Sequence, residues 1–157
     1  MKDQLLEEVR RKLIEEKVGL ISESELVLWA DEKLLELEEA PDFLISISLR
    51  EPLYHICRLD LMKDRVVDGD CQRLAERIIQ VYESGRIGFG EIEMIALKMT
   101  RILEDSENFY LDFMWISDEL HLADCGVKEK VKSYRDTLEV LKRIADLPHI
   151  NSLQRTS

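Results

Sequence analysis

Apolar residues recur at helical spacing along nearly the whole chain. Ile92, Ile95, Ala96, Met99, Ile102 and Leu103 fall on one face of a 3.6-residue period, as do Cys71, Leu74, Ala75, Ile78 and Tyr82. Val127, Val131, Tyr134, Leu138, Leu141 and Ala145 alternate four-three-four-three-four, the spacing of a narrow seam for a partner helix. The punctuation agrees. Ser22 followed by Glu25 has capping-box spacing, Pro52 suits a first helical turn, and Gly69 and Gly85 suit C-terminal caps. The pattern predicts helices near 3–17, 23–38, 42–49, 52–65, 70–84, 91–104, 107–123 and 127–146. Phe43–Leu49 (FLISISL) alternates as a strand would, but a lone strand has nothing to pair with, so a short helix is expected there. Phe109–Ile116 is apolar almost all round and reads either as a central buried helix or as a helix with one exposed patch. The tail from His149 is expected to fray. The fold class is therefore all-α: a compact bundle of about eight helices in one domain, 1–157.

Shifting the chain by 68 aligns Leu6 with Leu74, Glu8 with Glu76, Glu23 with Glu91, Glu25 with Glu93, Leu35 with Leu103 and Glu36 with Glu104. A shift of 70 then aligns Asp42-Phe43-Leu44 with Asp112-Phe113-Met114. Two readings stand. Either 1–66 and 69–135 are similar helical repeats closed by the helix 127–146, or two Glu- and Leu-rich stretches align through composition alone.

Charge narrows the function classes. The 157 residues carry 22 Lys+Arg against 33 Asp+Glu, a formal charge of −11. Residues 13–49 hold ten acids and two bases, 102–125 hold seven acids and no Lys or Arg, and 126–157 is +3. An acidic chain is a poor general binder of nucleic acid, which needs cations to displace counterions, and a poor ligand for an anionic membrane. No uncharged apolar stretch approaches the ~20 residues that cross a bilayer, and Met1-Lys2-Asp3-Gln4 lacks a signal-peptide core. Three cysteines (Cys57, Cys71, Cys125) make no even disulfide framework, so a reducing cytoplasm is the expected location.

Candidate chemistry is thin. His121 and Cys125 stand four apart and His55 and Cys57 two apart, without the tight knuckles a zinc site uses. Asp64–Asp70 places Gly69 at the sixth position of a calcium loop, but Val66 and Ala75 occupy ligand positions. Gly85-Arg86-Ile87-Gly88-Phe89-Gly90 follows a helix and has the wrong spacing for a dinucleotide loop. Ser46 and Ser48 have no nucleophile elbow or local histidine base. The pairs Glu36/Glu39 and Glu104/Glu107 have the E-x-x-E spacing of all-α nucleotide pyrophosphohydrolases, so a metal-dependent hydrolase is the alternative activity, although no cation cluster sits nearby to grip a triphosphate. No cofactor or metal site is expected.

Two aromatic sites lie among the acids. Trp29 neighbours Asp31, Glu32, Glu36 and Glu39, and Trp115 neighbours Asp112, Asp118 and Glu119. Aromatics flanked by carboxylates form the kind of hot spot that meets a basic protein, whereas the plainer reading is a solvated charged face over core tryptophans. Residues 17–31 (KVGLISESELVLWAD) resemble small acidic bacterial immunity proteins, which neutralise a toxin made by the same cell. The resemblance implies a non-enzymatic inhibitor whose carboxylates and aromatics block a basic, often nuclease, active site. The expectation is thus an acidic protein-binding module with a basic protein partner, using Trp29, Asp31, Glu32, Glu36, Glu39, Asp112, Trp115, Asp118 and Glu119. A regulatory helical module is the third reading.

Overall fold

The computed structural model describes residues 2–50, 68–103 and 108–147. The predicted helix at 52–65, Pro52, Cys57, His55, the Glu104/Glu107 pair and the tail from His149 lie outside the described residues. Among the described residues there are seven helices and no strand: α1 Lys2–Lys17, α2 Glu23–Glu36, α3 Asp42–Ser48, α4 Asp68–Glu83, α5 Phe89–Ile102, α6 Tyr110–Asp124 and α7 Lys130–Asp146. The all-α class read from periodicity is the class observed. The chain divides into two compact units, Met1–Arg65 and Val66–Ser157.

In the first unit α1 packs on α2, and α2 on α3. Val9 and Leu13 of α1, Leu26 and Ala30 of α2, and Leu44 and Ile47 of α3 meet with Ile21 in one buried cluster. Each fully buried Leu or Ile there contributes ~1.5–3 kcal/mol relative to exposure. Trp29, Leu34, Leu37 and Phe43 pack against the edge of this cluster, half-buried. The predicted cap forms: the Glu25 amide donates to Ser22 Oγ at 3.1 Å. The strand-like alternation of 43–49 is resolved as α3, whose buried residues are Leu44, Ser46 and Ile47.

In the second unit α4 packs on α7, α5 on α6, and α6 on α7. Cys71, Leu74, Ala75 and Ile78 of α4, Ile92, Ile95, Ala96 and Met99 of α5, and Phe113, Ile116 and Leu120 of α6 form its apolar interior. The stripes read for α4 and α5 are the faces they bury, except that Tyr82 and Ile102 are only half-buried. Gly85 ends α4 with φ +79°, its amide reaching the Tyr82 carbonyl at 2.9 Å while the Arg86 amide reaches Val81 at 3.2 Å. That paired-bond cap requires the left-handed backbone that glycine adopts without cost. At the next helix start the Gly88 amide donates to Glu91 Oε2 at 2.9 Å.

Two expectations need correction, and one pair of readings is decided for the exposed patch. Gly69 is not a C-cap, because α4 already begins at Asp68 and Gly69 sits in its first turn. The Phe109–Ile116 stretch is not buried all round: Phe109, Phe113 and Ile116 are interior, but Leu111 is 71% exposed and Trp115 37%. The seam on α7 is also rotated away from the core. Its buried residues are Ser133, Thr137, Leu141 and Ile144, while Val127 and Val131 stay exposed. The inward face keeps Leu141 and Ile144 in the core, and on it Ser133 Oγ donates to the buried Glu119 Oε1 on α6 at 3.0 Å, while Thr137 Oγ1 is buried without a hydrogen-bond partner.

Candidate functional site

The residues singled out for partner binding fall in two groups, one in each unit. In the first unit α2 supplies most of them. Its buried positions, Leu26 and Ala30, fix the opposite side of the helix toward solvent. That outer side carries Asp31, Glu32 and Glu36, all exposed. It also carries Leu28, 58% exposed, and Leu35, 88% exposed. The two leucines are seven residues apart, two turns and roughly 10 Å along the axis. Asp31 accepts a hydrogen bond from Ser48 Oγ, and Arg50 Nη2 donates to Ser24 Oγ at 3.4 Å, so the end of α3 is tied alongside α2. Leu49, between the two tied residues, is exposed as well. Trp29 is not part of this outer stripe; it lies half-buried against the core cluster.

Glu39 takes a different place. α2 ends at Glu36, the Leu37 amide closing it on the Leu34 carbonyl, and Glu39 sits in the connection to α3. The E-x-x-E helix that a pyrophosphohydrolase reading needs is therefore not formed by Glu36 and Glu39. Glu39 instead lines a cavity of about 650 Å³ with Leu5, Leu37, Pro41, Asp42 and Phe43. Lys33 at its wall is held by Glu8, Nζ to Oε2 at 2.8 Å, with Glu36 at 3.7 Å. The hydrogen bond to Glu8 holds the Lys33 ammonium pKa above the usual lysine range, against a smaller opposing effect of desolvation.

In the second unit α6 places Asp112, Trp115, Asp118 and Glu119. Two of the carboxylates are already engaged from α7 or the turn before it. Arg143 pairs with Asp112, and Lys128 Nζ lies 2.9 Å from Glu119 Oε2. Glu119 is 7% exposed, and its pKa is held below the usual glutamate range, first by the Lys128 hydrogen bond and also by Ser133. Asp118 and part of the Trp115 ring face solvent. The acidic run 102–125 is thus partly neutralised within its own unit; on α2, Glu36 lies 3.7 Å from Lys33 and Asp31 accepts from Ser48.

The exposed leucines were missed by attention to charge and tryptophan. The signal for them was present: α2 carries more apolar residues (Leu26, Val27, Leu28, Trp29, Leu34, Leu35) than one buried stripe can absorb. Elsewhere, Cys71 is buried and Cys125 is exposed, its Sγ 3.7 Å from His121 Nε2. Among the described residues no group of three or more His, Cys, Asp or Glu side chains could hold a metal ion. Among them, too, no helix is long and apolar enough to cross a membrane. Compared with protein-family models, curated proteins and solved structures, the chain matches none.

Proposed function

We propose that this chain is an acidic protein-binding module, an inhibitor of the immunity type, which takes a basic protein on the outer side of α2. One observation carries the reading: Leu28 and Leu35 stand 58% and 88% exposed on the same side of α2 as Asp31, Glu32 and Glu36. Leucines left in water contribute nothing to folding and supply apolar area that an interface can bury. The surrounding carboxylates steer a basic partner to the stripe and exclude acidic competitors, and the leucines supply the burial that holds it. The net −8 of residues 13–49 supports long-range steering, which raises on-rates by ~10- to 10³-fold and weakens with salt.

The test is capture and titration. Tagged protein is cross-linked in a lysate of the cell that makes it, and the captured partner is purified and titrated against two variants. A partner with a basic surface is expected. Leu28→Ser/Leu35→Ser should weaken binding by ~30-fold, about 2 kcal/mol, chiefly through faster dissociation. Asp31→Lys/Glu32→Lys should slow association and flatten its salt dependence. Binding and salt response unchanged by both variants would sink the assignment.

A further inference from the structure

The seam read on α7 has no place in the function proposed for α2, and the fold leaves much of it uncovered. Val131 is 71% exposed and Val127, just before the helix, 69%. Beside Val131, Phe89 and Tyr134 stack at 3.9 Å between ring centroids, 3° from parallel, and Tyr82 meets Phe89 at 4.9 Å and 59°. With Val131 and Leu138 these rings line a groove of about 440 Å³. The groove follows α7 from Val131 to Lys142, which at 1.5 Å per residue is about 16 Å, or three turns of helix.

Its polar residues have a sign. Arg135 and Lys142 line it against a single carboxylate, Glu139. α7 as a whole holds five bases and three acids, in a chain whose total charge is −11. A basic partner would meet two cations here; an acidic one would meet complementary charge over an apolar floor.

We infer that this groove docks an acidic amphipathic helix of a partner protein. About three turns of that helix would lie along α7. Apolar residues at i, i+3 or i+4, and i+7 would contact Val131, Leu138 and the Tyr82–Phe89–Tyr134 rings. Aspartate or glutamate on one edge would pair with Arg135 and Lys142. The inference stands independently of the reading of α2, since every residue it uses belongs to the second unit.

A displayed library of amphipathic helical peptides tests it, with apolar positions restricted to Leu, Ile and Phe and the polar positions randomised. The library is selected on the full chain, and enriched peptides are titrated by fluorescence anisotropy. The enriched peptides should be net acidic. Their affinity should fall ~10-fold or more in Arg135→Glu/Lys142→Glu and similarly in Val131→Ser, while Asp31→Lys/Glu32→Lys leaves it unchanged. These are exposed positions, and circular dichroism on each variant checks that helix content is kept. Four outcomes overturn the inference: no enrichment over the Val131→Ser chain; enriched peptides that are neutral or basic; equal affinity for the α7 variants; or a wild-type dimer in sedimentation that Val131→Ser returns to monomer. The last result would place a second copy of this chain in the groove. Binding to phosphatidylserine vesicles with no peptide enriched would assign it to a membrane instead.

Discussion

Glu119→Ala should destabilise the second unit by ~1–3 kcal/mol. The magnitude follows from what each partner does when the carboxylate goes. Ser133 is 1% exposed, so its hydroxyl loses its acceptor in a buried position, costing ~1–3 kcal/mol. The Lys128 side chain is 46% exposed and rehydrates, so its loss adds little. The converse change, Lys128→Ala, leaves the carboxylate buried with Ser133 as its remaining donor in this network. It should cost ~1–2 kcal/mol, below the 3–5 kcal/mol of a fully buried pair, because water replaces the lysine. Trp115 lines the same cavity as Glu119, Lys128 and Ser133, so it reports directly on this region. With two tryptophans in the chain, one per unit, a Trp29→Phe background isolates its signal. Urea unfolding followed by Trp115 fluorescence measures the loss, and a double-mutant cycle with Lys128→Ala measures the coupling. The pH dependence adds a signed check. Glu119 has a folded pKa below its unfolded value, so its stabilisation is present above the usual glutamate range and is lost as pH falls through the folded pKa. The gap between wild type and Glu119→Ala should therefore be constant near neutrality and close in acid. A gap under ~0.5 kcal/mol, within ordinary surface-substitution scatter, or one independent of pH, would refute the reasoning.

Further predictions concern single features. Glu93 has its carboxyl pKa raised, first by burial and then by Asp124, with His121 opposing, and its Oε1 is buried without a hydrogen-bond partner. A raised folded pKa means that stability is full below the unfolded value and falls as pH rises through the folded one. Glu93→Gln should then stabilise the second unit on the order of 1 kcal/mol at neutral pH and not in acid, read from thermal midpoints across pH. Gly85 has φ +79° with nothing within 4 Å of an added Cβ, so Gly85→Ala should cost ~1–2 kcal/mol from backbone strain alone, and Gly85→Asn less, in urea melts. Ser22→Ala removes the cap on the Glu25 amide and should cost about 1 kcal/mol in the first unit, seen by Trp29 fluorescence in a Trp115→Phe background.

Helix identity was legible because it depends on local spacing. The 3.6-residue recurrence at 92–103 and 71–82, the Ser22 cap and the Gly85 turn are each satisfied within a few residues of chain, so propensity and pattern suffice to find them. Boundaries were less legible where a polar residue could serve two roles, as with Gly69, which the sequence offers as a stop and the fold uses in the first turn of α4. The sequence also announced an acidic chain with tryptophans among its carboxylates. Which carboxylates remain unpaired was a tertiary decision: Lys128 and Arg143, nine and thirty-one residues from their partners, reach Glu119 and Asp112 because α7 packs on α6. The same packing chose which stripe of α7 to bury. Periodicity ranks Val131, Tyr134 and Leu138 as the apolar face, but the face that packs inward carries Ser133, Thr137, Leu141 and Ile144, with Ser133 donating to the buried Glu119, and the valine stays in water. Apolar spacing tells a helix which faces are available; the apolar and polar groups of the neighbours it meets decide which of them is used.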